Sequence, residues 1–88
     1  MSDISVPAGT APEVEEIARD FNTAGLAEPE ARQASIACAR LAQEMILRLR
    51  SGPDLMAGLV TLLEARSCFI RQALARKAAE RSAENVRT

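Results

Sequence analysis

An all-α fold is what this 88-residue chain predicts: a short N-terminal helix, then a long antiparallel helical hairpin, assembled as a homo-oligomer. Three observations predict it. No stretch alternates polar and apolar residues as a strand does, β-branched residues are few, and Phe21 and Phe69 are the only aromatics. Apolar residues recur at helical spacing in three stretches. Between the second and third, Ser51-Gly52-Pro53-Asp54 carries the stop-and-restart chemistry of a tight helix–helix turn.

Residues 1–9, ending in Pro7-Ala8-Gly9, show no periodicity and read as a flexible tail before a single helical domain over residues 10–76. Thr10 is placed to cap the first helix, with Pro12 in its first turn and Glu13 completing a capping box. Val14, Ile17, Phe21 and Ala24 line one face, and Gly25 is the expected C-terminal stop. The second helix starts near Pro29 and reaches about Arg50. The third runs from about Asp54 to at least Arg76, and the Ala- and charge-rich residues 77–88 are expected to fray. A connection of about four residues between two long helices makes them antiparallel neighbours.

The faces of the two long helices predict how they pack. On the second, Ala31, Ala34, Cys38, Leu41, Ala42, Met45 and Leu49 form one stripe, while Ile36 and Leu47 lie opposite, flanked by Arg40 and Gln43. On the third, an apolar face about half the circumference wide contains Leu55, Leu59, Leu62 and Phe69 with Met56, Val60, Leu63 and Ile70. The other side carries the small residues Ala57, Gly58, Thr61, Ala65 and Cys68, with Glu64 and Arg71 along one edge. One chain of three helices does not supply cover for that much surface, so self-association is expected.

Composition excludes several functions. There is no histidine, hence neither the usual general base nor the commonest metal ligand. Cys38 and Cys68, thirty residues apart, make neither a zinc site nor a disulfide scaffold. No phosphate loop or nucleophile elbow occurs. The chain therefore reads as a binder, not an enzyme, with no cofactor or metal. The absence of a signal-peptide pattern and of a long apolar run points to a cytoplasmic protein outside the membrane. Overall acidity argues against DNA or RNA polymers as partners.

Charge is nonetheless uneven. Residues 1–30 hold Asp3, Glu13, Glu15, Glu16, Asp20, Glu28 and Glu30 against Arg19 alone, whereas from Arg32 onward basic groups outnumber acidic ones about two to one. Nearly all are arginine, whose planar fork suits phosphate and carboxylate. Arg66 falls at the centre of the wide apolar face and needs a partner; either Glu44 across the hairpin or an anion at a subunit interface supplies one. Phe21 is either the anchor that docks the first helix or a flat surface for a base. Arg40 is either a solvated charge or a phosphate contact, and Arg71 lies beside Glu64. Cys38 and Cys68 read as small buried thiols.

Four segments resemble the phage anti-CBASS cyclic-nucleotide sponge family over roughly residues 14–74. They are Ile17-Ala18-Arg19-Asp20-Phe21, Leu26-Ala27-Glu28-Pro29-Glu30, Gly52-Pro53-Asp54-Leu55, and the run from Leu62 to Ala73, in which Ala65 and Arg71 match a small residue and an arginine six positions later. The resemblance implies a hexamer of helical hairpins that sequesters cyclic di- or trinucleotides in the host cytoplasm without cutting them. It implies base stacking for Phe21, phosphate contact for Arg40 and a place in a trinucleotide site for Thr61. The chain departs from the family in having Phe for Tyr, Arg for Lys, and few aromatics in the third helix, which leaves ligand preference open.

Overall fold

The structure, a computed structural model, describes residues 6–22 and 26–87, the last three by backbone alone. Three helices follow in chain order: α1 Pro12–Arg19, α2 Pro29–Leu49 and α3 Pro53–Arg87. Among the described residues there is no strand. Each helix opens on proline, where the missing N–H forfeits no helical hydrogen bond and the fixed φ suits the first turn.

The start of α1 differs from expectation. Its N-cap is Ala11, which has no side chain to cap with. Thr10 closes the preceding turn instead: its N–H and its hydroxyl both donate to the Pro7 carbonyl, at 3.2 and 2.7 Å. Gly9 supplies the positive φ of 86° that this turn requires. Because the N-cap position falls on Ala11, one residue later than expected, Thr10 and Glu13 form no capping box. Val6 packs against the core. At the other end α1 stops at Arg19, and Phe21 sits just past it, its N–H donating to the Ala18 carbonyl at 3.1 Å. Ala24 and Gly25 lie outside the described residues, as do residues 1–5 of the expected tail.

Glu28 caps α2, its carboxylate accepting from the Glu30 N–H at 3.3 Å. At the far end the chain reverses over three residues, Arg50, Ser51 and Gly52. The Ser51 N–H donates to the Leu49 carbonyl at 2.7 Å across Arg50, whose φ of 69° is that of a γ-turn. Gly52 follows at φ 123°, and Pro53 starts α3. With 21 and 35 residues, α2 and α3 are about 32 and 52 Å long. Arg76 Nη2 meets the Glu30 carboxylate at 3.3 Å where the start of α2 ends the hairpin. Beyond it α3 continues as helix to Arg87, past the point where fraying was expected, with residues 78–84 exposed.

The core joins Val14, Ile17, Ala18 and Phe21 to Cys38, Ala39, Ala42 and Ile46 of α2 and Leu55 and Leu59 of α3. This corrects the expected α2 stripe. Ala31, Cys38 and Ala42 are buried, but so are Ser35, Ala39 and Ile46, while Leu41 and Leu49 are 49% and 55% exposed. The cause is α1, which touches both long helices and turns the buried arc of α2 toward itself. On α3, Leu62 and Leu63 are half-buried, but Phe69 and Leu74 are exposed. An eight-residue α1 is about 12 Å long and cannot cover them.

Candidate ligand site

Phe21 and Arg66, 45 positions apart in sequence, meet in the fold. Phe21 is fully buried, and the Arg66 guanidinium carbon stands 5.8 Å from the centre of its ring. A cation over an aromatic face is attracted by the ring's quadrupole, worth about 0.5–2 kcal/mol depending on desolvation. Arg66 Nη1 also donates to the Asn22 carbonyl at 3.4 Å. Its Nε–H is buried and, among the described residues, reaches no acceptor. The expected ion pair with Glu44 does not form, because the Glu44 carboxylate holds Arg48 one turn away at 2.6 Å. Arg66 is thus a half-buried cation with unspent donor capacity.

Cys38 lies close enough to feel this charge. Burial pushes its thiol pKa up, and the Arg66 charge draws it part of the way back. Cys68, expected to be buried, is exposed, and Arg71 Nη2 donates to its sulfur at 3.2 Å. Arg71 therefore turns to Cys68 on the preceding turn of α3, and among the described residues it makes no ion pair with Glu64. Both cysteines are free thiols.

The other candidates stand apart. Arg40 is exposed on α2. Thr61 is exposed on α3, its hydroxyl donating to the Ala57 carbonyl at 2.9 Å. It lines an open apolar groove of about 370 Å³ together with Leu41, Met45, Leu49, Gly58, Leu62 and Ala65. No residue of α1 contributes to that groove, so α1 covers one flank of the hairpin and leaves the other open. The Phe21–Arg66 pairing and the Asn22 carbonyl had no signal in the sequence, since nothing local ties the end of α1 to the middle of α3.

No protein-family model, curated protein or solved structure matches the chain. No helix among the described residues is long and apolar enough to cross a membrane, and none of them gather as a metal-binding group.

Proposed function

We propose that the chain acts without catalysis, as a homo-oligomeric binder that sequesters cyclic oligonucleotide messengers and so blocks a CBASS-type antiviral defence. Arg66 is the observation that carries this reading. A half-buried guanidinium held against an aromatic ring is suited to a phosphate oxygen, which accepts charge-assisted hydrogen bonds. The arginine-rich stretch from Arg32 onward, with Arg40 and Arg71 exposed, adds cations for a ligand carrying two or three phosphates. The resemblance to the sponge family supplies the ligand class and the hexamer. Phe21 serves first as the anchor beneath Arg66, and Thr61 belongs to the groove side of α3.

A melting assay with cyclic di- and trinucleotides tests this directly. A ligand at 100 times its Kd stabilises the fold by about 2.7 kcal/mol, a shift of about 10–20 °C for a chain this size. Arg66→Met keeps most of the packing and removes the charge, and it abolishes the shift. If no cyclic nucleotide moves the transition of the folded protein, the reading fails.

A second reading has its own observation. Leu41, Leu47, Leu49, Val60, Phe69 and Leu74 are each 44–55% exposed, more apolar surface than a solitary helical domain usually leaves in water. This suits a protein–protein interaction module that docks on a partner, and such a module shows no response to nucleotide alone.

A further inference from the structure

We infer that two copies of the chain pair antiparallel along α3, about a two-fold axis through Ala65, each seating Phe69 in the other's open groove. The inference rests on the homo-oligomeric part of the function proposed above and names the surface that part requires.

The spacing of residues on the open flank of α3 comes first. Gly58, Leu62, Ala65, Phe69, Gln72 and Arg76 succeed one another at alternating steps of four and three, the seam spacing on which two helices supercoil. Only Leu62 and Ala65 of this seam are even half-buried; Phe69 is 55% exposed. Nothing within the protomer fills the space above Gly58, and the groove there is bounded on the α2 side by Leu41, Met45 and Leu49.

Self-complementarity decides the occupant and its direction. An isologous contact places each residue opposite the one equally far on the other side of the axis. About Ala65, Phe69 falls opposite Thr61, Gln72 opposite Gly58, and Arg76 opposite Asp54. The bulky ring faces a small residue at the groove, and the cation faces an anion. A parallel pairing in register sets Phe69 on Phe69, Asp54 on Asp54 and Arg76 on Arg76, crowding the rings and opposing like charges. Arg76 already holds Glu80 through Nε and Glu30 through Nη2, each at 3.3 Å, and Nη1, engaged in neither contact, is the nitrogen that meets the partner's Asp54. Asp54 and Arg76 lie about 16 Å from the axis. At the usual crossing of about 20° the helix axes are offset sideways there by about 6 Å, which adds only about 2 Å to their central separation of about 9 Å, within reach of an arginine. Asp54 is the sole charged residue lining the groove, so a strongly acidic or basic peptide finds little to recognise there. In the pair each α3 lies against the other hairpin, and Phe69, Leu41 and Leu49 leave water together.

The test uses the full chain carrying Ala65→Cys in a Cys68→Ser background, with buried Cys38 left in place. A residue on a two-fold axis meets its own copy, so mild oxidation closes the introduced thiol into a covalent dimer, while Arg71→Cys in the same background does not cross-link. Sedimentation of the unaltered chain shows a dimer or a multiple of it. Asp54→Arg and Arg76→Asp each weaken self-association several-fold, and the two together restore it. An oligomer that does not cross-link at position 65, or cross-links equally at 71, overturns this interface and leaves the oligomeric reading standing. A monomer at high concentration overturns both and assigns the groove to a different protein.

Discussion

Phe21 sits outside any helix, yet among the described residues it is the largest fully buried side chain. With Val14 and Ile17 it is what holds α1 to the hairpin, and its ring supports the Arg66 guanidinium. Removing a buried phenylalanine ring costs about 3–5 kcal/mol, so Phe21→Ala lowers stability by that amount in a urea titration. A loss below about 1 kcal/mol would show that α1 is not anchored there. The two thiols give a second check at this scale. Cys68 is exposed, whereas Cys38 is buried with its pKa raised, so a thiol reagent near pH 8 titrates Cys68 at once and Cys38 only on denaturation. The raised pKa also fixes a sign. Between the unfolded and folded pKa values the native state holds the proton more tightly, so the contribution of Cys38 to stability is lost as pH rises above the unfolded value. The sequence identified Phe21 and Arg66 as the residues to watch, but their contact depends on how α1 folds back, which no local pattern encodes.

At the scale of elements, the turn between α2 and α3 is the place where the backbone is strained. Arg50 adopts φ 69°, ψ −48°, a region costly to any residue with a Cβ. Glycine takes it freely, so Arg50→Gly raises stability by about 1 kcal/mol, although it forfeits the exposed contact of Arg50 Nε with the Leu47 carbonyl at 3.1 Å. Equilibrium denaturation measures the difference, and a decrease would show that Arg50 is unstrained. Helix number, the proline starts of α2 and α3 and the turn at Gly52 were all legible, because proline and glycine act through their own backbone. The buried face of α2 was not. Helical spacing placed Leu41 and Leu49 in the buried stripe, as for a lone hairpin, and α1 turned it toward Ser35, Ala39 and Ile46. The capping residue of α1 was misread by one position: the N-cap falls on Ala11, and Thr10 closes the turn before it.

At the scale of the whole molecule, the chain is a rod. Its radius of gyration is 15.8 Å, against about 12 Å for a compact domain of this length. Its ion pairs, among them Arg48–Glu44 and Arg76–Glu80, lie between exposed side chains and each contributes little. A rod with a small core and one open apolar flank is short of buried surface by itself, which is why pairing along α3 and ligand binding are both expected to stabilise it. That the chain is helical and needs further cover could be read from the breadth of the apolar face on α3. Which flank stays open could not, because it depends on where α1 docks. The most direct measurement is a calorimetric titration of the unaltered protein with cyclic di- and trinucleotides, followed by recovery of the ligand. The expected result is saturable binding by at least one of them, with the nucleotide returned intact; a folded protein that gives no binding heat with any, or returns the nucleotide cleaved, would contradict it.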